Sequence, residues 1–461
     1  MRKGGDDLAV QVKDMTTGRP VGLIISFALP LMLANVFQQL YTVVDTMVVG
    51  KGLGVGALAA LGAVDWLNWM MLGIVQGLAQ GFSILMAQEF GAKAYDRLRT
   101  VIGSSLTLAA ISSVVLLVVG QLLAVPALKL LQAPEAIRPM SLLYLRVMFS
   151  GMPIVMAFNL FAGILRSLGD GKTPLYAMIV ASFVNIALDL LFVLVFHWGI
   201  AGAAGATLIA QLCSSLFCLR QLRKISFLHL SRSHLRPQKQ LAGQMFRLGW
   251  PMAFQNAVIA LGGMIITSVV NGYGVVFIAG FTATNKFYGV LEIAASSYGY
   301  AMTTYVGQNL GAGKLKRIRT GTTAANIIAV LTSLVISAIL FLFGRLIVGL
   351  FISGTPQEVE EATQVGYRYL QVMSTFLPVL YILYVVRSAI QGMGNTVLPM
   401  LSGISELIMR TTGVMLLPMV MGSTGIFFAE ILAWIGADLI LIPSYYVTIK
   451  KAEKVFEISK E

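Results

Sequence analysis

The chain has 461 residues, 57% of them hydrophobic and only 11% charged, and its mean hydropathy is +0.82. A soluble domain carries roughly 25% charged residues, so the composition excludes a soluble globular protein and points to an integral membrane protein. The net charge of +13 reads as the Lys and Arg excess of cytoplasmic loops, not as a nucleic-acid surface.

Residues 1–20 mix both charge signs and lack an apolar signal region, so a cytoplasmic N-terminal tail is expected there. Apolar stretches of about twenty residues then recur along the chain, as membrane-crossing helices require. Breaks at charges, Gly and Pro place about twelve spans near 21–48, 55–85, 100–123, 138–165, 174–196, 200–221, 243–270, 275–305, 321–352, 363–386, 399–420 and 424–448. Ten-residue alternating strands are absent, which argues against an outer-membrane barrel. Prolines inside spans, Pro30, Pro153, Pro251 and Pro378, are expected to bend their helices. Cys213 and Cys218 share one apolar segment and imply no disulfide framework.

Orientation follows from the loops. Between spans six and seven, counting the edge of span six, lie Arg220, Arg223, Lys224, Arg232, Arg236 and Lys239 with no acidic residue, and between eight and nine lie Lys314, Lys316, Arg317 and Arg319. Both connections fall on one side under this count, so that side is cytoplasmic, and so are both termini. The acidic TPQEVEEAT at 355–363 falls on the other side, and KKAEKVFEISKE at 450–461 is expected to be a solvated tail. The cell inner (plasma) membrane is the expected location, with the lipid bilayer as surroundings.

The two halves repeat. Residues 87–99 read AQEFGAKAYDRLR and residues 307–319 read GQNLGAGKLKRIR; Pro30, Pro153, Pro174 and Gly169 recur as Pro251, Pro378, Pro399 and Gly394. An ordered series with nearly constant offset indicates duplication. The expected architecture is all-α: two lobes of six helices, 1–221 and 243–449, joined by a basic linker at 222–242 and followed by a C-tail at 450–461. Six is even, so both lobes enter the membrane in the same orientation and are related by a pseudo-two-fold axis along the membrane normal, as in transporters whose substrate sits at the repeat interface. The GA loops themselves read as connectors.

Charge inside the spans is sparse and patterned. Asp45 interrupts YTVVDTMVVG in span one, and FVNIALDLLF in span five puts Asn185 and Asp189 four residues apart on one helical face. At about 1.5 Å per residue, Asp45, Asp189, Tyr144 and Thr207 fall near one depth, with Asn185 one turn deeper. Two acids sharing a poorly hydrated pocket repel when both are ionised, which favours a proton or alkali cation between them. The same oxygens suit H⁺ or Na⁺, and the choice stays open. In the second half, the partners of Asp45, Asn185 and Asp189 are Ile266, Arg410 and Val414, so coupling is expected to be concentrated in the N-terminal lobe. Glu406 and Arg410, i and i+4 in span eleven, are expected to neutralise each other. Lys286, Glu292, Asp65 and Trp69 are candidate residues of a substrate cavity, together with Glu406 and Arg410. Met70, Met71, Met148 and Met152 read as packing more than as cavity lining.

VVDT in the first helix, NxxxD in the fifth, the GA loops after helices two and eight, and the six-plus-six duplication together resemble the multidrug and toxic compound extrusion (MATE) transporters, over nearly the whole chain. The first-helix Asp with NxxxD resembles their DinF-like branch. The resemblance implies a proton-linked network of Asp45, Tyr144, Asn185, Asp189 and Thr207. It also implies a cation-coupled antiporter, with H⁺ the expected ion, that exports amphipathic, often cationic compounds by alternating access. A monomer without cofactor is expected. Span seven lacks the acidic residue of the NorM-like branch. A flippase for lipid-linked precursors of the same superfamily is the alternative; it calls for a cavity lined by Arg and Lys, for which Lys286 and Arg410 speak. An enzyme or receptor is disfavoured: His197, His229 and His234 lie in loops or at a helix end, and no HExxH, GxSxG or P-loop occurs.

Overall fold

The computed structural model describes residues 12–131, 134–352 and 355–458, and these contain no strand. The helices are α1 Pro20–Leu53, α2 Val55–Gly91, α3 Tyr95–Leu130, α4 Arg138–Ser150, α5 Met152–Ser167, α6 Lys172–Asp189, α7 Gly199–Leu222, α8 Lys239–Val270, α9 Val275–Gly311, α10 Leu315–Gly349, α11 Pro356–Gly392, α12 Val397–Met421 and α13 Gly425–Ile458. Taking α4 and α5 as one broken span gives the twelve that the hydropathy pattern places. Among the described residues nine stretches are long and apolar enough to cross a bilayer, residues 397–458 counting as one although a 3₁₀ turn at Gly422–Thr424 divides them into α12 and α13. The α9 helix has the length but not the apolarity, because Asn285, Lys286 and Glu292 interrupt it. The chain is a multi-pass membrane protein.

Helix breaks follow local chemistry. Span four bends by 48° between α4 and α5. Gly151 sits at the break, where a Cβ would come within 2.0 Å of Leu208. Pro153 falls in the first turn of α5, where no intrahelical N–H is needed. Its repeat partner Pro378 lies inside α11, which stays one helix. The repeated glycines Gly169 and Gly394 both take positive φ, +81° and +84°, just past the ends of α5 and α11, as left-handed helix stops do. At its other end α11 opens on a capping box between Thr355 and Glu358.

The chain packs as two compact units, Met1–Thr17 with Leu29–Ala253 and Gly18–Ala28 with Phe254–Glu461. The division falls inside α1 and α8 rather than in the basic linker. Within unit 1, Val64, Val75, Phe82, Met86, Leu98 and Leu145 form the centre of the core, and α2 meets α8 at Gly81 and Gly249, where a Cβ on Gly81 would lie 2.3 Å from the Gly249 Cα. Within unit 2, Tyr305, Leu377, Tyr381 and Trp434 are fully buried, and Gly280 and Gly366 bring α9 and α11 together in the same way. Small residues at crossings let membrane helices approach closely where no hydrophobic force separates helix from lipid. Leu122, Leu130, Leu342 and Leu346 are exposed, which suits a lipid-facing surface. Met71, Met148 and Met152 are core residues of unit 1.

Segments outside the spans are anchored. Lys13 N donates to Leu168 O at 2.9 Å and Met15 is buried; of the expected N-tail, residues 1–11 lie outside the described residues. In the linker, Phe227 stacks on Phe90 and packs tilted against Tyr95 at the α2–α3 turn, and Thr107 donates to Leu235 O at 2.6 Å. The described part of the C-tail continues α13 to Ile458 and stays mostly exposed, with residues 459–461 outside the described set. Glu453 pairs with Arg319 at 2.7 Å and Phe456 packs over Gly313; a helix already running can extend where its outward side chains find partners.

Candidate functional site

In unit 1, α1 and α6 bring Asp45 and Asp189 face to face, within hydrogen-bonding reach of each other. Two features set the approach. Ser182 of α6 donates to Phe37 O of α1 at 3.2 Å. Gly52, near the end of α1, lies against Val193 and Leu194, where a Cβ would come within 2.6 Å of Leu194. Those two residues belong to a π-helical turn, Leu190–Val195, that follows Asp189 directly; such widened turns are frequent at functional sites. Asn185, one turn earlier on the same face, donates Nδ2 to Thr207 Oγ1 of α7 at 3.4 Å. Tyr144 of α4 is buried in the field of Asp45 first and then of Asp65, Tyr41 and Asp189, and its helix is tied to α2 by Ser141 donating to Ala60 O at 3.1 Å. All five residues that the spacing grouped therefore meet in one place.

The chemistry of that place is one-sided. Asp189 and Asn185 are fully buried. Asp45 Oδ1, Asn185 Oδ1 and both Asp189 oxygens are buried and, among the described residues, have no hydrogen-bond donor and no cationic side chain acting on either carboxylate. Beside the carboxylates, Gln38, Tyr41, Thr207, Gln211 and Ser214 line a cavity of about 20 Å³, room for about one water molecule. Tyr41 lies beside both carboxylates, and the Gln211 amide reaches its phenol. The sequence reading passed over both. Tyr41 precedes Asp45 by four residues and Gln211 follows Thr207 by four, so the i,i+4 rule that joined Asn185 to Asp189 would have found them. Asp65 and Trp69 on α2 are exposed. Among the described residues no group of three or more His, Cys, Asp or Glu is placed to hold a metal ion.

Unit 2 corrects one expectation. Glu406 and Arg410 are both buried but do not neutralise each other. Glu406 pairs with Arg387 of α11, which also donates to Ser402 Oγ at 3.3 Å. Arg410 donates Nε and Nη2 to Glu430 Oε2 of α13 at 3.1 and 2.8 Å. The helices pack so closely that cross-helix partners outcompete the i,i+4 contact. Asp438 lies close to the first pair, with Oδ1 buried and without a partner. Glu292 accepts from Tyr384 at 3.1 Å and from Tyr288. Lys286 is exposed. Arg387 and Glu430 were missed, although an ionisable residue inside a span is itself the signal.

The model of the MatE family matches residues 30–191 and 251–416, one block in each half. Among curated relatives, a probable multidrug resistance protein of Bacillus subtilis (strain 168), YoeA, is 32% identical over 72% of this chain and 73% of its own length. A second from the same strain, YpnP, is 28% identical over 83% and 84%. Among solved structures, an outward-facing multidrug resistance MATE family transporter of the MOP superfamily superposes with a TM-score of 0.88 at 22% identity, covering 97% of this chain and 99% of that one. The two relatives are named probable multidrug resistance proteins and the structural neighbour a multidrug resistance transporter. The chain belongs to the MatE family of multidrug efflux transporters.

Proposed function

We propose that this chain is a cation-coupled antiporter that exports amphipathic, often cationic organic compounds, with H⁺ as the coupling ion and Asp45 and Asp189 as the exchange site. The single observation that carries the reading is the set of buried acceptor oxygens without donors on Asp45, Asn185 and Asp189. Two ionised carboxylates facing each other, Asp189 fully buried and Asp45 half-buried, repel in a poorly hydrated site. One proton between them turns an acceptor into a donor and relieves both the repulsion and the unmade hydrogen bond. Na⁺ on the oxygens of Asp45, Asn185, Asp189 and Thr207 is the competing occupant. The widened π turn after Asp189 and the bend at Gly151 are where α6 and the α4–α5 span can change shape with occupancy.

In this mechanism the pair takes up a proton when the cavity is open to the outside and the substrate leaves. The pair then returns the proton when the cavity opens to the cytoplasm. The basic linker at 222–242 supports a cytoplasmic placement for it and for both termini, in the cell inner membrane. The printed names of the two relatives, both probable multidrug resistance proteins, support a drug-like substrate. The flippase reading loses support, because Arg410, one of the cations in its favour, is bound to Glu430.

The test is drug accumulation in cells expressing the wild type, Asp45→Asn or Asp189→Asn, with a collapsed proton gradient as control. Both variants are expected to accumulate drug as cells without the protein do. Export by both at the wild-type level contradicts the assignment.

A further inference from the structure

The duplication lets the residues of the unit 1 site be matched with counterparts in unit 2. By the offset that pairs Asp45 with Ile266, Tyr41 pairs with Gly262. By the offset that pairs Asn185 with Arg410, Tyr144 pairs with Tyr369, and by the one that pairs Gln88 with Gln308, Asp65 pairs with Asn285. The geometry follows the matching. Tyr144 lies in the field of Asp65 and of the Asp45–Asp189 pair. Tyr369 donates to Asn285 Oδ1 at 3.3 Å and lies in the field of Glu430 and Arg410.

At the matched place the charges differ in kind. Ile266 and Val414 stand where unit 1 has its two carboxylates. The charge there is the Arg410 guanidinium, held side-on by Glu430. Gly262 makes room for it: a Cβ at that position would lie 2.4 Å from Arg410 Nη1, and the counterpart in unit 1 is Tyr41, a neighbour of both acids. The groups that face the guanidinium are Glu430 from α13, Glu406 from its own helix and Tyr288 from α9, with Glu292 acting on both partners of the pair.

We propose that Arg410 is a tethered cation: it fills, in unit 2, the place where unit 1 takes an exchangeable monovalent cation, and so keeps unit 2 out of the exchange. Glu430 is its counterion, and without the guanidinium Glu430 and Glu292 form a site for an alkali cation. The comparison rests on reading Asp45 and Asp189 as an exchange site.

Trp434 is a local reporter, one turn from Glu430 and stacked on Tyr288 at 6.3 Å between ring centroids. The experiment follows its fluorescence in purified full-length protein whose other tryptophans, Trp66, Trp69, Trp198 and Trp250, are Phe, while NaCl or KCl replaces choline chloride at fixed pH. With Arg410 present the signal is expected to stay flat. Arg410→Gln is expected to gain a saturable response to Na⁺ or K⁺, and Arg410→Lys, which keeps a tethered charge, to remain flat. A response with Arg410 in place, or a flat Arg410→Gln, overturns the proposal. A melting measurement covers poor folding of the single variant: adding Glu430→Gln to Arg410→Gln is expected to raise the melting temperature, and a double variant no more stable than the single one contradicts the pairing. The readout is local to unit 2 and involves no transport, so its failure is distinct from retained drug export by Asp45→Asn and Asp189→Asn.

Discussion

Unit 1 and unit 2 descend from one repeat, yet they place charge inside the membrane in opposite ways. In unit 2 each buried arginine has its own carboxylate, Arg387 with Glu406 and Arg410 with Glu430. In unit 1 the fully buried Asp189 and the half-buried Asp45 face each other, and among the described residues Asp45 Oδ1 and both Asp189 oxygens have no hydrogen-bond donor. A low-dielectric interior tolerates charge only when it is compensated. Unit 2 supplies its two buried arginines with carboxylates from its own sequence, whereas the Asp45–Asp189 pair of unit 1 has to take its compensation from outside. Paired arginines therefore hold the fold together in unit 2, although Asp438 Oδ1 stays unpaired beside one of the pairs, and in unit 1 the facing carboxylates leave room for an exchangeable ion.

That contrast makes substitutions of the same chemical kind differ in effect. The largest expected effect is on transport: Asp189→Asn should reduce gradient-driven efflux to background while leaving the melting temperature unchanged or raised, since it removes repulsion. Next, Glu406→Gln should leave the buried Arg387 without its ion-pair partner, with Ser402 and the nearby Asp438 as its remaining neighbours. Breaking a buried pair costs about 3–5 kcal/mol, read as a large fall in melting temperature. If Glu406→Gln is as stable as Asp189→Asn, the division between the units fails. A smaller effect is expected at Thr207→Val, which removes the 3.4 Å hydrogen bond from Asn185. A typical hydrogen bond is worth about 1 kcal/mol, so efflux should fall by less than about tenfold. The smallest belongs to Thr355→Ala, which opens the capping box of α11; a slight loss of melting temperature with unchanged efflux is expected.

Much of this was legible in the chain. Apolar runs marked most spans, because a bilayer demands long hydrophobic helices; α9, interrupted by Asn285, Lys286 and Glu292, and the broken α4–α5 span carry the signal more weakly. The lone Asp45 and the Asn185–Asp189 spacing marked the unit 1 site, because charge is rare where lipid surrounds it. Two kinds of feature were not legible. One is partner choice among buried charges: Glu406 and Arg410 satisfy the helical spacing rule, yet each pairs across to another helix, a matter of packing that no local pattern encodes. The other is the widened turn after Asp189 and the break at Gly151, which depend on how Gly52 and Leu208 fit against neighbouring helices.

The most direct test reconstitutes the protein in liposomes and follows a fluorescent lipophilic cation such as ethidium. A pH gradient is imposed without Na⁺, or a Na⁺ gradient without a pH difference, for the wild type and Asp189→Asn. The wild type is expected to move the dye against its gradient when driven by the pH difference, and Asp189→Asn not to. Dye movement by Asp189→Asn at the wild-type rate under the same pH gradient would contradict the account.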